Sequence, residues 1–269
     1  MSSDGPILYG HRGAAAELPE NTLESFRRAL ERGADALETD VHLTLDGRVV
    51  VSHDESGRRM AGVPREIRRS LLAEVQSWDA GFGFLGPRGE RPFLGRGFRV
   101  PTFDEVLEAF PGVLFNVDVK QTDPPMVRPL LEVIRRHGAE GRVQIASFSD
   151  EVLSQVRALG YRGRMALGRR DLQRLLVTPA RLIRAGLVAV EGELAQVPLR
   201  YGPVRFATRA FLGKCHALGI RVDFWTINSE EIARFLVELG ADGIMTDDPG
   251  RIAKVLSAAR GCVVGQAPL

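Results

Sequence analysis

The stretch "ILYGHRGAAAELPENTLESFRRALERGADALETDVHLT", residues 7–44, decides the fold. It opens on a short apolar run, 7–10, and closes on another, 36–44. Between them Leu23, Phe26 and Leu30 recur at helical spacing on one face. Thr22 is a natural N-cap, with Asn21 as an alternative, and Gly33 stops the helix. A strand, a helix and a strand in this order form a crossover unit with parallel strands. The first strand ends in His11-Arg12-Gly13, which is an odd ending if folding were its only task. Glu20 and Asn21 are expected to fix the loop that carries the chain from that triplet to the helix.

The same alternation runs on. Strand-like runs stand at 7–10, 36–44, 113–120, 143–148, 164–168, 187–192, 221–227 and 243–247. Helical periods separate most of them. "SDEVLSQVRALG" ends at Gly160, and "SEEIARFLVELG" has Ser229 as its cap and Gly240 as its stop. Eight such units in about 250 residues predict a TIM (β/α)8 barrel. A doubly wound open sheet is the rival, weakened by the count and by the lack of a GxGxxG fingerprint. The fifth and sixth units, around "GRRDLQRLLVTPARL", are the hardest to parse. One region breaks the alternation: 54–101 is rich in Gly, Pro and Arg. It reads as a small insertion after the second strand, a lid over one barrel end, anchored by Leu71, Leu72, Val75, Trp78 and Phe82. The whole of 1–269 is therefore expected to form a single barrel domain.

The bulk properties narrow the class. Of 269 residues, 44% are hydrophobic and 26% charged, as in ordinary globular proteins. The formal net charge of +2 gives no reason to expect a nucleic-acid partner. No stretch approaches the ~20 apolar residues of a membrane span, so no stable membrane insertion is expected. "MSSDGPILYG" lacks the features of a signal peptide, and two cysteines are too few for a disulfide framework. These readings together predict a cytoplasmic protein with free thiols. Oligomeric state is left open. Only three of the basic residues are lysines, which draws attention to Lys120.

Strand C-termini of such a barrel face the active site. His11 and Arg12 end the first strand. Glu38 and Asp40, two apart, share a face of the second. His53 and Asp54 end the short run "RVVVSHD". Asp118 and Lys120 share a face of the third strand, Trp225 lies on the seventh, and Asp247 ends the eighth. Each has a plainer reading: Asp118 and Lys120 as a structural ion pair, His53 as a surface histidine, Trp225 as core, Asp247 as a helix start. Their convergence on one barrel end favours chemistry. Buried carboxylates are costly without a positive partner. Three carboxylates near one point suit one hard divalent metal ion, Mg²⁺ or Ca²⁺. No cysteine or zinc-type histidine spacing accompanies them.

The ordered set His11-Arg12-Gly13, Pro19-Glu20-Asn21-Thr22, Gly33-Ala34-Asp35, Glu38-Thr39-Asp40, Asp46-Gly47 and His53-Asp54 resembles the opening of the glycerophosphodiester phosphodiesterase family. "DAGFGF" (79–84), "VPTFDEVLEAFPG" (100–112), "FWTIN" (224–228) and "GADGIMTDDPG" (240–250) extend the likeness over about 7–257. The resemblance implies metal-dependent hydrolysis of a small-molecule glycerophosphodiester to sn-glycerol 3-phosphate and an alcohol. It implies His11 and His53 as the acid–base pair, with Glu38, Asp40 and Asp118 on the metal. Arg12 and Lys120 would hold phosphate oxygens, and Trp225 would wall the glycerol side. The family's glycerol 2-hydroxyl would act as internal nucleophile, giving a cyclic phosphate that water opens. One position departs from the pattern: the family's Glu-x-Lys is here Asp118-Val119-Lys120, one methylene shorter. Three rivals remain beside this reading. They are a lysophospholipase D, favoured by the aromatic content of 54–101, a non-catalytic phosphate-binding barrel, and a barrel isomerase or aldolase.

Overall fold

Period-two alternation along the strands builds the barrel wall. In a computed structural model, residues 5–263 are described. The wall strands are β1 (Ile7–His11), β2 (Ala36–Leu43), β4 (Leu114–Val119), β5 (Val143–Ala146), β6 (Leu194–Val197), β9 (Arg221–Phe224) and β10 (Gly243–Thr246). They pair in parallel in the order β5-β4-β2-β1-β10-β9-β6. Two isolated parallel bridges, Ile145 to Met165 and Ala166 to Leu194, join β5 to β6 and close the ring.

The fifth and sixth strands therefore differ from the sequence reading. The run at 164–168 contributes bridges rather than a regular strand, and the sixth strand is Leu194–Val197, not 187–192. The reason lies upstream. Helices α7 (Arg169–Val177) and α8 (Ala180–Arg184), separated by Pro179, use up the connection. Leu187 is left 72% exposed, so the apolar run there has no sheet to join.

Outward positions such as Leu37, Val41, Phe115, Val117, Val143 and Ile145 pack against α1 (Leu23–Glu31), α4 (Phe103–Ala109) and α5 (Val127–Arg136). On the other side Leu8, Val222, Phe224 and Ile244 pack against α9 (Arg209–His216), α10 (Glu230–Leu239) and α11 (Pro249–Val263). Inward positions are unusually polar. Tyr9 donates to Gln144 at 3.2 Å, and Gln196 donates to Asn116 across the barrel at 2.7 Å. A polar network, in which Gln144 Nε2 is left without a partner, thus fills space that Val, Ile or Leu would fill in many barrels. The cap and stop readings hold: Thr22, Ser149 and Ser229 accept from the backbone of the first turn, and Gly33 and Gly240 take positive φ.

Residues 54–101 are not a bare loop. They follow β3 (Val49–Val51), which pairs antiparallel to β2, and hold α2 (Arg58–Ala61), α3 (Leu72–Gln76) and two 3₁₀ turns. Met60, Ile67, Val75 and Trp78 form their own small core with Val50 and Val100. Val75 and Trp78 are buried as expected, whereas Leu71 is 51% exposed. Among the described residues no helix is long and apolar enough to cross a membrane. Cys215 is a buried free thiol, its pKa pushed up by burial to about 12. The side chain of Cys262 lies outside the described ones.

Candidate active site

Strand register brings the charges together. His11 stands beside Glu38, and Asp40 beside Asp118, across neighbouring parallel strands. Glu38, Asp40 and Asp118 all point inward, because they alternate with Leu37, Val41 and Val117. A cavity of ≈ 640 Å³ opens at this end, and His11, Arg12, Glu38, Asp40, His53, Asp118, Lys120 and Trp225 all line it. The eight residues singled out from sequence therefore share one site. The segment 54–101 lines none of this cavity.

Both histidines are oriented by a carboxylate. His11 Nδ1 lies 2.7 Å from Asp247 Oδ1, and Asn228 donates to the other oxygen of Asp247 at 2.7 Å. Burial disfavours the imidazolium, but Glu38 and the bond to Asp247 outweigh it and raise the His11 pKa. His53 Nδ1 lies 2.7 Å from Asp54 Oδ1. Each ring thus turns its Nε2 edge away from its carboxylate, the arrangement that fixes a tautomer.

The cations are held equally firmly. Lys120 Nζ sits 2.6 Å from Asp118 and 3.0 Å from Asp40. Burial works against its charge, yet Asp118 and Asp40 together raise its pKa. Arg12 takes a left-handed φ of 53°, which turns its side chain between Glu20 (3.2 Å) and Asp40 (3.3 Å). That backbone is held by Arg12 N on Glu38 and by Asn21 N on the Arg12 carbonyl. Burial of Arg12 among carboxylates overrides the ordinary preference against φ > 0.

The carboxylates carry more negative charge than these cations neutralise. Burial, and then Asp40, push the Glu38 pKa up to about 8. Burial also raises Asp118, against the pull of Lys120. Asp40 is lowered: Lys120 and Arg12 overcome its burial. Asp118 Oδ1 is buried with no hydrogen-bond partner. An orphaned acceptor beside a carboxylate that resists ionisation is a pair of groups that a cation would satisfy. The all-oxygen donor set fits Mg²⁺ or Ca²⁺. Among the described residues no group of three or more His, Cys, Asp and Glu side chains is already gathered as a cage.

The structure adds roles that the sequence reading did not assign. Asn21 donates to Asp40 (3.2 Å) and accepts from Thr39 (2.8 Å), so it steers a carboxylate as well as fixing its loop. His42 Nε2 touches the His53 carbonyl at 3.3 Å. Arg59 reaches out of 54–101 to bond both Glu20 and Asp54, the partners of Arg12 and His53. Its exposed position in an irregular segment gave no signal. The motif context of Glu20-Asn21 did.

Two oriented imidazoles, two cations and a carboxylate cluster at the strand C-termini of a parallel barrel can bind an anionic ligand and move protons at it. The chain belongs to the Glycerophosphoryl diester phosphodiesterase family, which it matches over residues 11–251. It is 32% identical over 250 residues to a glycerophosphodiester phosphodiesterase from Caldanaerobacter subterraneus, covering 90% of this chain and 94% of that one. A human lysophospholipase D is 28% identical, covering 91% and 84%. A crystal structure of a putative glycerophosphoryl diester phosphodiesterase from Silicibacter pomeroyi superposes with a TM-score of 0.78 at 27% identity, covering 96% and 95%. The fold is also shared with an Oleispira antarctica phosphodiesterase solved with its product sn-glycerol-3-phosphate, with a TM-score of 0.74 at 23% identity, covering 94% and 97%.

Proposed function

We propose that this chain hydrolyses glycerophosphodiesters to sn-glycerol 3-phosphate and an alcohol, with His11 and His53 as the acid–base pair and one divalent cation. The observation that carries this is the pair of oriented imidazoles facing one cavity beside Arg12 and Lys120. A phosphodiester is anionic and repels nucleophiles. Arg12 and Lys120 attract its non-bridging oxygens and oppose the charge that builds there during reaction. The attacking oxygen must lose a proton and the leaving oxygen must gain one. Two imidazoles, each locked by a carboxylate, supply both transfers. Glu38, Asp40 and Asp118 would hold the cation. When bound, it supplies a Lewis acid for the phosphoryl oxygens. Trp225 walls the cavity beside this end.

The test is release of sn-glycerol 3-phosphate from glycerophosphocholine, after EDTA and after return of Mg²⁺ or Ca²⁺. Metal-restored release, lost in both H11A and H53A, is the expected result. A folded protein that releases nothing with any metal refutes it.

A further inference from the structure

Two sets of residues line the cavity. One is the charged cluster at the strand ends. The other comes from Phe148, helix α7 and a two-stranded ribbon, β7 (Arg200–Tyr201) and β8 (Val204–Arg205). α7 turns one stripe to the cavity: Arg169, Leu172, Gln173 and Leu176 recur at helical spacing, while Asp171 and Leu175 are buried. The ribbon adds Tyr201 and Val204, paired directly across it. In this second set Arg169 is, among the described residues, the single charged side chain. It is exposed, and its guanidinium makes no hydrogen bond or ion pair with any described residue. The carboxylates around the start of α7 are engaged by other arginines. Asp150 accepts from Arg170 N at 3.0 Å and faces the Arg170 guanidinium at 3.6 Å. Asp171 lies 3.4 Å from Arg157 and 3.5 Å from Arg174. Arg200 and Arg205, register partners on the ribbon, are exposed and have no ion pair among the described residues.

We infer that the alcohol half of the diester carries an acidic group of its own, a phosphate monoester or a carboxylate, and that Arg169 selects it. The inference rests on the diester-hydrolase reading above and narrows its substrate. An occupant of this part of the cavity takes water from Arg169. A neutral or cationic head group returns nothing for that loss, whereas a pair of acidic oxygens matches the planar guanidinium fork. Gln173, one turn along the same stripe, offers an amide beside it. A cationic head group finds no free counter-charge here. Among the described residues the carboxylates that line the cavity are Glu38, Asp40 and Asp118. Arg12 and Lys120 already sit against Asp40, Lys120 against Asp118, and His11 against Glu38. The aromatic wall does not invite a cation either. Lys120 Nζ already lies 5.9 Å from the centre of the Phe148 ring, which packs edge-on to Trp225.

The experiment measures kcat/KM and calorimetric binding on two matched pairs, with glycerophosphocholine as the cationic reference. The first pair is glycerophosphoinositol and its 4-phosphate, and the second is glycerophosphoglycerol and glycerophosphoglycerate. The acidic member of a pair is expected to be favoured about tenfold, the factor that one charge-assisted hydrogen bond supplies, and glycerophosphocholine to be the poorest substrate. The preference should shrink as salt is added. In Arg169→Gln it falls to within about twofold of unity, and Arg169→Lys keeps part of it. Arg181→Gln, exposed but outside the cavity lining, keeps it whole. A preference in one pair alone supports the inference and names the acidic group. Equal kcat/KM within both pairs, or a preference unchanged in Arg169→Gln, overturns it. Selective binding of the acidic members that is lost in Arg169→Gln, with no diester turned over, refutes the hydrolase reading and leaves the role of Arg169 standing.

Discussion

Replacing Asp223 with Asn should stabilise this protein, and more so at high pH. Asp223 lies on β9, fully buried inside the barrel, and neither carboxylate oxygen has a hydrogen-bond partner. Its register partner is Gly243, where an added Cβ would collide with the carboxylate. The nearest cation is Arg221, 3.7 Å away, while Asp242 opposes ionisation and Tyr9 faces it as a neutral phenol. Burial raises its pKa from 3.8 to about 6. A raised acid pKa means that folding is penalised wherever the unfolded chain is ionised. The penalty is absent well below pH 4 and complete above the folded-state value. These two values give a penalty on the order of 1–2 kcal/mol at pH 5 and about 3 kcal/mol at pH 8. Asn keeps the shape and removes the charge. Urea unfolding of both proteins at several values between pH 5 and 8 should show the advantage of D223N growing by about 1–2 kcal/mol over that range. Parallel stability–pH curves would refute the reasoning, because any uniform effect of the amide leaves the slope unchanged.

Arg59→Ala removes the brace shared by Glu20 and Asp54, and should lower kcat/KM roughly tenfold with the melting temperature little changed, as steady-state kinetics and thermal melts would report. Titration of metal-free protein with Mg²⁺ or Ca²⁺ should raise the melting temperature, by about 2.7 kcal/mol equivalent at a hundredfold excess over Kd, and Asp118→Asn should abolish the rise. Phe26→Ala opens a cavity between the rings of Phe110 and Phe115, and should cost about 3–5 kcal/mol in chemical denaturation. Gly13→Ala forces a side chain onto φ 89° and into Ser25, and should destabilise by at least about 1–2 kcal/mol while displacing Arg12, so activity falls more than stability.

Local chemistry made much of this molecule legible. The barrel follows from eight alternations of period two and period 3.6, and caps such as Thr22 and stops such as Gly240 act within one turn of their helix. Glu38, Asp40 and Asp118, which line the cavity, stood out because inward strand positions that should be apolar carry charge. That mismatch is local too: Glu38 and Asp40 are two residues apart on one strand.

What the sequence could not determine involves partners far apart in the chain. Which carboxylate orients which imidazole depends on the closing of β1 against β10, which sets His11 beside Asp247, 236 residues on. The sixth strand was misplaced because 187–192 and 194–197 are both apolar enough, and only barrel closure through Met165 and Ala166 selects the second. The role of Arg59 needs Glu20, 39 residues away. Leu172 and Tyr201, 29 residues apart in the chain, line the same cavity, and neither belongs to a motif. Periodicity and capping are short-range properties that a sequence displays directly. Register, ring closure and the convergence of half-exposed apolar side chains are decided by packing, and so appear only in the tertiary structure.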